Sequence, residues 1–246
     1  MNRRNKAPDL QDPEVLRRKL VQALGLGLFG IGAGIPASLA QQSVPSPGPL
    51  PAGRSIYRLV GEATVNGTRA TPETRINAGD EVETRRGAEV VFAVNGDAFL
   101  LRENSRIQLE RENAIIGALR MFTGALLGVF DRRRQPLSLS SSVATIGIRG
   151  TGVYMEADPE RTYICTCYGE TELAANDDQT SRETIVSTQH DAPRYILAAG
   201  AAGTRIQPAP FINHTDEELV LIEALVGRDP PFAVFGEGYD APRPRY

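Results

Sequence analysis

The chain has 246 residues, with 27 Lys or Arg against 30 Asp or Glu, a formal net charge of −3, two cysteines, two histidines and no tryptophan. That balance excludes a strongly basic nucleic-acid binder, and two cysteines exclude a disulfide-stapled mini-scaffold. The length suffices for one good core with an appendage.

Residues 1–40 read as an export signal. Arg17-Arg18-Lys19 stands before the apolar, Gly-rich run Leu20 to Ile35, and Ser38-Leu39-Ala40 supplies small residues for cleavage after Ala40. Arg17-Arg18 followed by Leu20 resembles a twin-arginine signal, and five glycines dilute the run in keeping with that route. The plainer alternatives are an ordinary secretory signal or an uncleaved anchor, since about 20 residues can span a bilayer. The expectation is a periplasmic protein that meets the membrane only through this segment if it stays uncleaved. Its removal takes six basic and three acidic residues, leaving 21 against 27, and every remaining cation is Arg. A net acidic chain predicts no nucleic-acid partner, and the one basic run, Arg132-Arg133-Arg134, reads as a solvated turn.

Residues 41–54 carry Pro45, Pro47, Pro49 and Pro51 among Ser and Gly and read as a linker. From Ile56 onward, short runs of strand formers are punctuated by Gly and Asn. Asn66-Gly67 and Asn95-Gly96 are hairpin signals, the second between Val90 to Val94 and Phe99 to Leu101. Strands about every ten residues indicate a β-sandwich or barrel, while Ala114 to Leu119 is ambiguous between strand and helix. Ser142 to Tyr154 alternates strand formers with Gly147, Gly150 and Gly152, where a backbone bulges or approaches closely. Arg149, its one charge, reads first as a buried clip between loops and second as a ligand contact.

Thr145-Ile146-Gly147-Ile148-Arg149-Gly150-Thr151 resembles the signature that closes the FecR domain. Upstream, Ala78 to Thr84 resembles that family's G-D-x-V turn, Ala88 to Asp97 its strand ending in a polar Gly turn, Leu101 to Leu109 its Ser-containing strand, and Gly124 to Leu127 its G-x-L step. The resemblance covers residues 56–173 and implies an all-β, jelly-roll-like β-sandwich over about 55–173, with Gly147, Arg149, Gly150 and Thr151 as a structural signature. Family members of the iron-signalling type carry a cytoplasmic sigma-factor-binding segment. Here the stretch before the apolar run is too short for one, so the usual partner is not expected.

Arg161 to Leu173 reads as strand, turn and strand, corresponding to the family's last hairpin but with Cys165 and Cys167 in it. Residues 174–246 form a C-terminal extension. Within it Ala174 to Arg182 reads as a polar loop, Thr184 to Ser187 and Tyr195 to Leu197 as strands, and Phe232 to Tyr246 as an extended tail. One α-helix is expected at about 215–226: Thr215 and Glu218 make a capping box, Leu219, Ile222, Leu225 and Val226 an apolar stripe, and Gly227 with Pro230-Pro231 a stop.

One constellation can carry chemistry. Cys165 and Cys167 are i and i+2 on a predicted strand, so their sulfurs share a face. With His190 and His214 they complete a tetrahedral ligand set for zinc, or for a softer metal such as copper. Asp191 or Asp216 would orient an imidazole. Three other readings stand beside it: a strained Cys165–Cys167 disulfide, buried free thiols with ordinary loop histidines, and a thiol nucleophile with His190 as base, which lacks a nearby cation to lower the thiol pKa. The sequence therefore predicts a non-enzymatic interaction or sensing module of the cell envelope, with another envelope protein as partner. The alternative is a metal or redox protein with a Cys2His2 site on the FecR scaffold.

Overall fold

The computed structural model describes residues 47–234. The expected export signal and residues 41–46 of the linker fall outside the described residues, as does the tail beyond Val234. No helix among the described residues is long and apolar enough to cross a membrane.

The described chain is all-β with one α-helix. Fifteen strands form two sheets: β1 (Ile56–Val60), β2 (Ala63–Val65), β3 (Thr68–Arg69), β4 (Glu81–Thr84), β5 (Glu89–Val94), β6 (Asp97–Leu101), β7 (Arg106–Glu112), β8 (Ile115–Val129), β9 (Leu137–Ser140), β10 (Ala144–Ile148), β11 (Gly152–Ala157), β12 (Arg161–Ala175), β13 (Asp178–Ser187), β14 (Arg194–Leu197) and β15 (Ile206–Pro208). The first sheet runs β1-β5-β6-β8-β11-β12-β14-β15. The second runs β3-β2-β4-β7-β8-β9-β10-β12-β13, with β8–β9 as its one parallel pairing. The two long strands β8 and β12 belong to both sheets and join them at the corners.

Each long strand changes sheet at a glycine in the left-handed region, Gly124 (φ 93°) in β8 and Gly169 (φ 89°) in β12. A Cβ at Gly169 would stand 2.4 Å from Thr151 Cγ2, so the bend tolerates no side chain. This corrects the sequence reading of Arg161 to Leu173 as two strands about a turn: a bulge residue bends a continuous strand without reversing it. The polar stretch Ala174 to Arg182 is likewise not a loop excursion. It makes a short turn into β13, which pairs back onto β12. Residues 114–119, ambiguous in sequence, are the start of β8. The turns were legible: Val65 faces Thr68 across Asn66-Gly67, and Val94 faces Asp97 across Asn95-Gly96.

Alternation along the first sheet divides its side chains between two cores. Phe92, Phe99, Leu101, Val153, Met155 and Ile164 point inward to meet Ile107, Leu109, Leu139 and Ile146 of the second sheet. Val91, Leu100, Leu127, Tyr154, Tyr163, Cys165 and Cys167 point outward, and there meet helix α1 (Asp216–Leu225) through Leu219, Ile222 and Leu225. Burying those three side chains contributes roughly 1.5–3 kcal/mol each. The helix starts at Thr215, whose side chain accepts from Glu218 N while Glu218 accepts from Thr215 N, the anticipated capping box. Gly227 (φ 72°) follows its end, and Leu50 N donates to Leu225 O there.

Two arginine expectations change. Arg149 is half exposed, pairing at 3.1 Å with Glu172 and 3.8 Å with Glu170 on β12. It is a surface clip, because it lies in the exposed bend that follows β10. Arg133 turns inward instead of lying in a solvated turn, donating to the buried Asp97 and to Ile116 O. Thr151 is buried, against Gly169 at the bend, and Gly147 lies within β10.

Candidate metal centre

The outward face of β12 places both sulfurs on the sheet, and the extension brings both imidazoles over them. His190 lies between β13 and β14, where its backbone N donates to Cys167 O at 2.9 Å and its φ of 52° turns the ring inward. His214 immediately precedes the helix cap. All four side chains are buried, and their ligand atoms lie within 4.8 Å of one another. Cys165 Sγ is 3.4 Å from His190 Nδ1, Cys167 Sγ is 3.4 Å from His214 Nε2, and the two ring nitrogens are 3.1 Å apart. Both cysteines are free thiols here, not a disulfide.

Outer partners fix which ring nitrogens face inward. Asp216 Oδ1 accepts from His190 Nε2 at 2.8 Å, and Ile212 O accepts from His214 Nδ1 at 2.7 Å. A carboxylate and a carbonyl only accept, so those nitrogens carry the protons. The inner nitrogens, His190 Nδ1 and His214 Nε2, then face each other and the sulfurs, and each offers a lone pair when it carries no proton. Lone pairs at that separation require a cation between them, either a proton or a metal ion. Of the two candidate orienting carboxylates, Asp216 takes the role. Asp191 instead accepts from Ser187, Thr188 and Gln189 in its own loop.

The charge distribution agrees. Burial alone would push the Cys165 thiol up, but hydrogen bonds with Cys167, His190 and His214 outweigh it and hold Cys165 well below the usual thiol range. Burial and the neighbouring Cys165 push Cys167 well above that range. At His190 burial opposes the charged ring, yet Asp216 and Cys165 raise its pKa to about 9. The sequence expectation that the thiols lack a nearby cation is therefore corrected: His190 supplies one. Cys165 is nonetheless fully buried beneath the extension, which closes it to a substrate.

The spacing also suits a metal. For a tetrahedral zinc ion, with Zn–N of about 2.05 Å and Zn–S of about 2.3 Å, adjacent ligand atoms lie about 3.3 Å apart for two nitrogens and about 3.6 Å apart for nitrogen and sulfur. The observed 3.1 Å and 3.4 Å are close to these edges. Two thiolates and two imidazoles leave no open position, as in structural rather than catalytic zinc sites.

Several supporting residues carried no signal in the sequence. Tyr154 lies opposite Cys165 on β11 and stacks on His214 with centroids 4.4 Å apart. The Phe211 ring lies 4.5 Å from each imidazole. Arg102 Nη2 donates to both oxygens of Glu218 at 2.8 and 2.9 Å and to Asn213 O at 3.1 Å, holding the His214 segment on the sheet. Behind the helix, the buried Glu223 accepts from Tyr168 Oη and, at 2.6 Å, from Arg228 Nε. These partners come from distant elements, so spacing along the chain does not betray them.

Fold and site together define a double-sheet β-domain with a buried Cys2His2 cluster beneath a C-terminal helix. No family model matches the chain, and no curated protein matches it. Two solved structures of a protein described as a "putative anti-sigma factor" from Parabacteroides distasonis are similar to it. One has 13% identity and a TM-score of 0.43 over 52% of this chain and 58% of its own; the other has 12% identity and a TM-score of 0.44 over 57% and 70%. This chain thus covers less than two thirds of the first structure's chain.

Proposed function

We propose that this protein is a metal-binding protein built on a FecR-like β-domain, exported to the periplasm, where it acts as a non-enzymatic sensing or interaction module towards another envelope protein. The observation that carries the metal reading is the pair of fixed tautomers: Asp216 and the Ile212 carbonyl hold the outer ring protons so that two imidazole lone pairs converge on two sulfurs. A closed, four-ligand set with carboxylate and carbonyl outer partners suits zinc, with copper as the softer competitor. Its ligands come from β12, from the loop before β14 and from the residue before the helix cap, so an ion would fasten the C-terminal extension to the first sheet. Export is supported by the twin-arginine-like pattern of residues 1–40, and the FecR assignment by the ordered motifs from Ala78 to Thr151.

Cobalt(II) titration of the full chain tests this reading. One equivalent should give intense tetrahedral ligand-field bands and sulfur-to-cobalt charge transfer, both reversed by one equivalent of zinc. A spectrum of octahedral aqueous cobalt throughout the titration contradicts it.

A further inference from the structure

The four clustered side chains are buried, and a metal loaded into the folded chain enters from a surface that adjoins one of them. Among the described residues, a cleft of about 570 Å³ has His214 in its lining, together with Tyr154, Arg102, Glu103, Glu156, Asp158 and Glu218. Four of these are carboxylates against a single guanidinium in the lining; Arg102 pairs with Glu218 and Glu89, and Asp158 pairs at 3.5 Å with Arg161. The cleft therefore presents excess negative charge directly above a buried imidazole. Glu156 is its inner carboxylate: Oε1 accepts from Tyr154 Oη at 2.7 Å and from Asn213 Nδ2 at 2.6 Å. Glu156 Oε2 has no hydrogen-bond partner among the described residues. Asn213 (φ 58°) precedes His214 directly and closes the segment between the carboxylate and the ligand.

We infer that this acidic cleft is the loading port of the centre, through which a hydrated divalent cation is drawn past Glu156 and Asp158 to His214. The inference rests on the metal reading above. A cleft lined by one sign of charge focuses the field and raises the local concentration of the opposite ion, and salt weakens that effect. Apart from His214, no residue of the cleft is required as a final ligand, since Cys165, Cys167 and His190 complete the set. The port thus governs the rate of loading rather than the number or type of ligands.

Stopped-flow mixing of the full chain with cobalt(II), as chloride, tests this at low and high ionic strength. The pair Glu156→Gln and Asp158→Asn removes two charges yet keeps an oxygen for the Tyr154, Asn213, Glu160 and Arg161 donors. The control pair Glu110→Gln and Asp177→Asn removes two exposed charges outside the cleft. The port variant should load about tenfold more slowly at low salt, with a flatter salt dependence, while the control matches the unaltered protein. The final cobalt spectrum verifies that the centre is intact in each protein. Equal loading rates in all three proteins, or an equal slowing in both variants, overturn the port while leaving the metal reading in place. Failure of the unaltered protein to take up cobalt overturns both.

Discussion

Asp216 Oδ1 lies 2.8 Å from His190 Nε2, so the first residue of the helix also sets the proton position on one of the four clustered side chains. The contact joins two levels of structure. An acidic residue in the first turn favours the helix through the macrodipole, and the same carboxylate raises the basicity of the imidazole it orients. Asp216→Ala should therefore weaken zinc affinity by about 10–100-fold. Competition with a chromophoric chelator measures this, and circular dichroism verifies that the helix persists.

Metal removal should loosen the extension more than the sheets. A ligand bound only by the folded state, at about 1,000 times its dissociation constant, adds about 4 kcal/mol. At roughly 2–4 °C per kcal/mol for a domain of this size, chelation should lower Tm by about 10 °C. Cys165→Ser with Cys167→Ser should abolish the shift, leaving a Tm insensitive to both zinc and chelator. Hydrogen exchange should locate the loosening in residues 214–226, while β5, β6 and β8 stay protected.

The bend of β12 provides a test of the scaffold. Gly169→Ala puts a Cβ into the left-handed region, a cost of about 1–3 kcal/mol, and adds the clash with Thr151. Urea unfolding should show a loss of at least about 2 kcal/mol. Thr151→Ala in the same chain should recover part of the steric component but not the backbone component.

Acid stability has an identifiable contributor in Glu183. Two hydrogen bonds from Arg194, at 2.6 and 2.8 Å, hold its carboxyl below the usual range. Because the folded pKa is depressed, the stabilisation is complete above the ordinary value of about 4.3 and disappears as pH falls through the lower folded value. The pair is partly exposed, so the effect is below about 1 kcal/mol. Glu183→Gln should flatten the acid limb of the stability curve by that amount and leave the curve's shape near neutrality unchanged.

The sequence disclosed those features that are set locally. Asn66-Gly67 and Asn95-Gly96 announce tight turns because Asn and Gly accept conformations that other residues avoid, and Thr215 with Glu218 announces a helix start through side-chain hydrogen bonding within one turn. The i, i+2 spacing likewise put both cysteines on one face before any fold was known. Less legible was what covers that face. His190 and His214 reach the sulfurs only because β13 and β14 complete the sheets and the helix returns across the first one, which no periodicity encodes. Gly169 reads equally as a turn or as a bend, and only the partners on either side, β11 and β13, decide between them. Arg102 shows the same limit: as a single charge beside an apolar strand it gives no hint of Glu218, 116 residues away.

Metal analysis of the exported protein, purified from its own host without chelator, tests the central claim most directly when combined with X-ray absorption at the metal edge. The account expects close to one equivalent of metal per chain, with two sulfur and two nitrogen scatterers in its shell and both thiols protected from alkylation until the metal is withdrawn. Metal-free protein that takes up neither zinc nor copper on reconstitution, with its thiols reacting on unfolding as two ordinary free cysteines, would contradict it.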